Sequence, residues 1–197
     1  MKPQAYIFIG RSGCGKGTQV KLLDEALRRA EPSRDIIYVQ TGQGFRDFIK
    51  GDTFTQKKAR EIYEAGGLQP EFLAVQMWEK PLIEKYKGGE HIIFDGTPRK
   101  FHEAGVLDSV FGFYGIETMW VLNIDISPEE SMKRLLLRKR FDDDTEEIKK
   151  RLAWYETDVA PAVEYYRTNP RYHFLKIDGE RSIEDIHQDI MSRLGLS

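Results

Sequence analysis

Ala5-Tyr6-Ile7-Phe8-Ile9-Gly10-Arg11-Ser12-Gly13-Cys14-Gly15-Lys16-Gly17-Thr18 decides how this chain is read. Its apolar residues 6–9 predict a short buried strand that Gly10 ends. Beyond the loop, Val20, Leu22, Leu23, Ala26 and Leu27 recur at helical spacing among charged neighbours, which predicts a helix. Strand, glycine-rich turn and helix form the setting in which a backbone wraps a phosphate. Successive N–H groups turn toward the anion, the helix N-terminus adds its positive dipole end, and Lys16 adds a mobile charge. The spacing from Gly10 to Gly15 and Lys16 fits the general phosphate-loop pattern with one departure: Gly17 intervenes, and the hydroxyl arrives one place late, at Thr18. Cys14 needs only to be small here, and reads as filler rather than as a nucleophile.

The bulk properties narrow the class. A length of 197 residues suits one domain with a good core and small mobile insertions. A net charge of −2 gives no support for a nucleic-acid surface, which would be distinctly basic. No apolar run approaches membrane-spanning length, and the first residues lack a signal-peptide h-region, so no membrane partner is expected. A single cysteine excludes an internal disulfide and points to a reducing compartment, with the cytoplasm as the default. The four histidines, His91, His102, His173 and His187, are scattered and show no metal-ligand spacing.

Along the chain, apolar strands are expected at 36–39, 91–94, 118–124 and 173–177. Residues 41–86 read as helix in several pieces, broken at Gly51-Asp52, at Gly66-Gly67 and before Pro70, with a kink at Pro81. Further helices are expected over 101–110, 128–138, 144–167 and 183–194; Ser127 followed by Pro128, Glu129 and Glu130 is a capping-box start. Short apolar strands alternating with helices require a parallel sheet covered on both faces, with the ligand at the carboxyl ends of the strands. The candidate residues do follow strands: 10–18 after the first, Thr41-Gly42 after the second, and 95–99 after the third.

Asp95 ends a strand, the position from which a carboxylate holds Mg²⁺ or its water shell beside a phosphate loop. Arg46, Arg99, Arg134, Arg138, Arg140 and Arg151 fall on helices or loops beside the same end of the sheet. Phosphoryl transfer needs such equipment, because catalysis there is mainly positioning and stabilisation of charge on phosphate oxygens. Taken alone, 134–140 also reads as a solvated basic helix face with Leu135, Leu136 and Leu137 as its core stripe. The acidic run Asp142-Asp143-Asp144 beside it supplies ion pairs that could form and break as a segment closes over phosphates.

These motifs, in this order, resemble the adenylate kinases of the nucleoside monophosphate kinase family over nearly the whole chain. Gly15-Lys16-Gly17-Thr18 matches the displaced threonine of that family, Thr41-Gly42 with Arg46 resembles its monophosphate element, and Gly66-Gly67-Leu68-Gln69-Pro70 the stretch that meets the monophosphate's base. Asp95-Gly96-Thr97-Pro98-Arg99 resembles Asp-Gly-Phe-Pro-Arg, residues 134–143 with Arg151 resemble the lid and its flanking helices, and Ile177-Asp178-Gly179 the loop beside the ATP base. The resemblance implies a three-layer α/β P-loop fold with a five-stranded parallel sheet. It also implies a single kinase domain: a core of 1–40, 88–137 and 141–197, a helical monophosphate-binding insertion over about 41–87 and a very short lid over about 138–143.

The implied reaction is transfer from MgATP to AMP, giving two ADP, by a monomer without structural zinc. Lys16, Arg99, Arg138, Arg140 and Arg151 would be catalytic. ATP would be held by Gly13, Cys14, Gly15, Lys16, Gly17, Thr18, Arg134 and Gly179. The monophosphate would be held by Thr41, Gly42, Arg46, Gln69, Gly96, Arg99, Glu103, Arg140 and Arg151, and the metal by Asp95 through water. The chain departs from the family pattern at Glu103, where Gln usually reads adenine, and at Thr97, Gln43, Gly44 and Ser12. An ionised Glu only accepts hydrogen bonds, so a CMP or UMP kinase remains open beside AMP, as does a nucleotide-binding module without transferase activity.

Overall fold

The computed structural model describes residues 2–138 and 145–196. Five strands, β1 (Gln4–Ile9), β2 (Ile36–Gln40), β3 (His91–Asp95), β4 (Thr118–Asp125) and β5 (Tyr172–Asp178), form one sheet in the order β2-β3-β1-β4-β5. Every pairing is parallel; in the middle of the sheet Ile7 of β1 faces Phe94 of β3 on one side and Val121 of β4 on the other. This is the expected five-stranded parallel sheet.

Side chains alternate along a strand, and β1 is apolar at both parities because both faces are covered. Ala5, Ile7 and Ile9 point into one core with α4 (Glu71–Lys85), α5 (Phe101–Tyr114) and α8 (Ala160–Thr168), where Trp78, Phe111 and Tyr166 are fully buried. Tyr6 and Phe8 point into the other, against Leu23 and Leu27 of α1 (Lys16–Ala30) and Ile186 and Ile190 of α9 (Ile183–Leu194). Between β2 and β3 the chain makes α2 (Thr41–Phe48), α3 (Phe54–Glu64) and α4, with breaks where glycine and proline place them. Pro81 lies inside α4.

Four local expectations are corrected. The capping box at α6 (Pro128–Arg138) is only half made: Ser127 Oγ accepts from Glu130 N–H at 3.3 Å, but the reciprocal bond to Ser127 N–H comes from Glu180 at 2.9 Å. Glu130 is drawn instead to Arg134, at 2.7 Å. On the same helix Leu135 is buried, whereas Leu136 and Leu137 are exposed, so the three do not form one core stripe. The long helix expected over 144–167 is α7 (Thr145–Trp154), a π-helical turn (Tyr155–Val159) and α8. Pro161 brings no N–H to that turn and its ring crowds the carbonyl four residues back; Ala160 N–H reaches Tyr155 O instead, across five residues. Finally, α5 runs four residues beyond its expected end, to Tyr114, because Val110, Phe111 and Tyr114 all pack on the core.

Candidate active site

The carboxyl ends of β1, β2 and β3 open into a cavity of about 840 Å³. The phosphate loop forms one wall. Lys16 folds back over it, donating from Nζ to Gly10 O at 2.8 Å and Arg11 O at 2.9 Å. Cys14 is buried beneath, 3.4 Å from Nζ, as small filler. The loop is also fixed from behind: Ser131 Oγ donates to Ser12 O at 2.6 Å, and Leu135 packs under Gly13. Both anchors belong to α6, so the helix that carries Arg134 and Arg138 is docked on the loop itself.

Asp95 closes β3 beside the loop; a Cβ on Gly17 would lie 3.8 Å from Asp95 Oδ2. That oxygen accepts from the Tyr38 hydroxyl at 2.8 Å and from Gln40 Nε2 at 3.2 Å. Tyr38 and Gln40 alternate on β2 and therefore share the face toward the cavity. Burial and the Asp95 charge together push the Tyr38 phenol far up, so it stays a donor. Gly96 then turns the chain at a φ of 68°, a conformation rare for other residues, and its N–H donates to Phe8 O at 3.0 Å. A Cβ here would stand 3.5 Å from Lys16 Cε and 3.9 Å from Arg99 Nη2. The missing side chain thus leaves the lysine and the arginine on either side of one small space.

Arg99 donates from Nε to Gly96 O at 2.9 Å, and its guanidinium lies over the Trp154 ring at 5.6 Å. Burial lowers its pKa, opposed by Glu103 and Asp95, without bringing an arginine near neutrality. Arg46 is held by Gln43, whose Oε1 accepts from Nε at 3.1 Å and from Nη2 at 2.8 Å; the Gln43 departure therefore orients the expected phosphate-binding arginine. Gln69 is anchored through Nε2 to Ala59 O at 2.8 Å, while its Oε1 is buried without a partner among the described residues. Glu103, 3% exposed, accepts among the described residues only a long 3.4 Å bond from Arg99 N–H, and burial pushes its carboxyl up from the usual range.

The cavity therefore gathers Gly13, Cys14, Gly15, Lys16, Gly17 and Thr18 at the loop. Asp95, Gly96 and Arg99 stand at the centre, with Thr41, Gly42, Arg46, Gln69, Glu103, Arg138 and Arg151 around them. Arg134 and Gly179 are not on this lining: Arg134 is turned to Glu130, and Gly179 N–H donates to Asp125 O at 2.8 Å. Arg140 and most of the short lid fall outside the described residues. Among the described residues no three His, Cys, Asp or Glu side chains cluster as a metal cage. Sequence reasoning missed Tyr38, Gln40, Trp154 and Ser131. The alternation of β2 signalled the first two; nothing local signalled the others, which arrive from elements distant in the chain.

A phosphate loop docked on an arginine-bearing helix, facing a second arginine cluster across a glycine, defines a P-loop phosphotransferase. The chain matches the adenylate kinase family over residues 8–171, and it belongs to that family. It is 34% identical to adenylate kinase 1 of a Nostoc species over 96% of this chain and 97% of that one. It is 31% identical to an adenylate kinase of Corynebacterium urealyticum (95% and 97% covered) and to one of Thermus thermophilus (98% of each).

Proposed function

We propose that this chain catalyses reversible transfer of the terminal phosphoryl group of ATP to AMP, giving two ADP. The observation that carries it is the meeting of Lys16 and Arg99 about Gly96: one belongs to the phosphate loop and the other to the wall that continues to Arg46 and Glu103. In this reading the loop N–H groups of 13–18 and Lys16 hold the donor phosphates, with Lys16 Nζ exchanging its bonds to Gly10 O and Arg11 O for phosphate oxygens. Arg46 and Arg99 grip the acceptor phosphate with planar forks whose N–H groups match its oxygens. Arg138 and Arg151 line the space between and spread the charge that develops on the transferred group; Arg140 joins them, and Arg134 flanks the ATP base with Gly179. No covalent intermediate is required, since positioning supplies most of the catalysis.

The donor set fits Mg²⁺, which takes one or two carboxylates and completes its shell with water and phosphate oxygens. Asp95 would hold it through water, with the Thr18 hydroxyl near the phosphates, and the ion would neutralise charge on the phosphate groups. Helices α2 to α4 form the monophosphate-binding insertion, and the chain works as a monomer. No helix among the described residues is long and apolar enough to cross a membrane, and the proposed place of action is the cytoplasm.

The test is a panel of AMP, CMP, UMP and GMP with MgATP, read as ADP formed. Turnover fastest with AMP is expected. CMP or UMP turnover without AMP turnover would move the acceptor to a pyrimidine, and MgATP binding without any turnover would leave a nucleotide-binding module.

A further inference from the structure

Arg99 enters the cavity without a paired anion. Its Nε donates to Gly96 O at 2.9 Å, and among the described residues no carboxylate forms an ion pair with its guanidinium. Burial, with Arg151 and Arg46 as like charges, opposes its charged state, and Glu103 and Asp95 favour it from beyond ion-pair distance. An arginine that must meet a phosphate gains from this, because a paired carboxylate would first have to be displaced. A long side chain held at one atom, however, keeps much of its freedom to swing. What restrains it further is a ring. Trp154 ends α7, and the Arg99 guanidinium lies over it at 5.6 Å from the centroid, within the range at which an indole face attracts a cation. Trp154 packs against the core that holds Tyr155 and Val159, and its Nε1–H is buried without an acceptor among the described residues, so packing sets the ring. Arg151 stands three residues earlier on the same helix, and both side chains line the cavity. The next residue, Tyr155, also takes an arginine, but Arg11 is neutralised there by Asp125 and Glu156. Arg99 is not.

We propose that Trp154 is a positioning residue for the acceptor phosphate: its ring holds the Arg99 guanidinium by one face, so that the Nη edge meets the phosphate with no anion to displace. The proposal rests on the monophosphate kinase reading above. The guanidinium has three kinds of contact to offer, and the structure accounts for two. Nε is bound to a carbonyl and the flat face lies on the indole, which leaves the Nη edge, with Nη2 at 3.9 Å from the place of a Cβ on Gly96, toward the space shared with Lys16. A contact between cation and ring suits this task better than a salt bridge. It restrains the plane of the fork yet leaves the net charge and the N–H groups for the phosphate, whereas a carboxylate would occupy both. Since the ring belongs to the helix that carries Arg151, one element sets an arginine of the acceptor wall and an arginine beside the transferred group. The indole N–H takes no part, so another aromatic face should serve.

The experiment compares Trp154→Leu and Trp154→Phe with the unaltered protein, measuring kcat and KM for AMP and for MgATP, and inhibition by adenosine against AMP. Trp154→Leu should raise the KM for AMP about 5- to 20-fold, the scale of one contact between a cation and a ring. Its kcat should change less than about threefold and its KM for MgATP less than about twofold. Trp154→Phe should recover most of the loss. Adenosine carries the base without the phosphate, so its inhibition constant should be the same in all three proteins. The inference alone is overturned, with the kinase reading intact, by a KM for AMP within about twofold in Trp154→Leu. A phenylalanine variant as impaired as the leucine one, or adenosine weakened as much as AMP, overturns it equally. Absence of turnover with any monophosphate by the unaltered protein overturns the kinase reading and this inference with it. Should Trp154→Leu fail to fold, NMR of the unaltered protein decides. Nuclear Overhauser contacts between the Arg99 side chain and the Trp154 ring that persist when AMP binds support the ring as the holder of the bound arginine, and contacts that vanish on binding refute it.

Discussion

The guanidinium of Arg11 stacks on the ring of Tyr155, 4.2 Å from its centroid. The same side chain donates to Ile126 O at 3.3 Å, pairs with Asp125 at 3.5 Å and contacts Glu156. Arg11 belongs to the phosphate loop, Asp125 and Ile126 to the end of β4, and Tyr155 and Glu156 to the π-helical turn that follows α7. One side chain thus bolts the loop to the helix that brings Arg151 and Trp154 to the cavity. Its own carbonyl accepts from Lys16, so the bolt and the phosphate-binding lysine share a residue.

Replacing Arg11 by Ala should cost about 2 kcal/mol of stability. A stacked guanidinium contributes roughly 0.5–2 kcal/mol, and truncation also leaves Ile126 O and Asp125 short of a donor. Urea unfolding should show a lower midpoint with an unchanged m-value. Arg11→Lys keeps the charge but loses the planar fork and the stacking, and should recover less than half of the loss. Full recovery by Lys would mean that charge alone, not the stack on Tyr155, holds the turn.

Lys16→Met keeps the apolar stem and removes the charge. With the donor phosphates deprived of that cation, kcat should fall about 10²–10³-fold, the scale of losing one group that stabilises the charge of the transition state. Thermal melting should stay close to that of the unaltered protein, because the lost bonds run only to carbonyls of an open loop. A coupled ADP assay and a melt on the same preparation separate the two effects.

The sheet and the phosphate loop were legible because local chemistry sets them. Residues 4–9 are apolar at both parities, which only a strand covered on both faces tolerates, and the glycines of 10–17 have no better use than a turn around an anion. The placement of Asp95, Gly96 and Arg99 followed from the rule that sites lie beyond the carboxyl ends of parallel strands. Glu103 does lie on the cavity lining, but that it is buried there could not be read from the sequence. Its burial depends on α4, α5 and α8 converging, a tertiary event no spacing encodes. The π-helical turn was hidden for a related reason: Pro161 falls inside a pattern read as one helix over 144–167, and the helix passes it only because Tyr155, Val159 and Ala162 all pack on the core. Arg134 was expected to hold ATP, yet in the structure it pairs with Glu130 one turn before it.

Gly10→Ala should be severe. Gly10 has a φ of 148°, and a Cβ there would stand 2.3 Å from Ile124 O, a backbone atom of the neighbouring strand that cannot step aside. The strain of such a backbone for a residue with a side chain is about 1–3 kcal/mol before the clash is counted. A loss of at least about 3 kcal/mol is expected, seen as a lowered melting temperature or as insoluble protein. A melt within a degree or two of the unaltered protein would show that the loop can move away from β4. Gly88→Ala is the control, since a Cβ there meets nothing within 4 Å although its φ is 99°; it should show the strain without the clash.

Acid should destabilise the protein in two stages, both through one buried contact. His91 Nδ1 accepts from Gln4 N–H at 3.1 Å while Nε2 faces Glu31 at 3.2 Å, an arrangement the neutral ring satisfies at both nitrogens. Burial holds the His91 pKa below its usual 6.5, so the unfolded chain takes up a proton first and stability declines as the pH falls below about 6.5. The bond from Arg34 to Glu31, with the one to His91, lowers the Glu31 carboxyl from 4.5 to about 2. Its stabilising contribution is present above the ordinary value and is lost as the pH falls from about 4.5 toward 2. Urea unfolding free energies measured from neutrality down to about pH 3 should fall along both limbs. Glu31→Gln should flatten the lower limb and deepen the upper one, because the Glu31 charge opposes the burial that lowers the His91 pKa. Imidazole resonances followed by NMR should place the His91 midpoint below 6.5; a midpoint above it would reverse the sign of the upper limb.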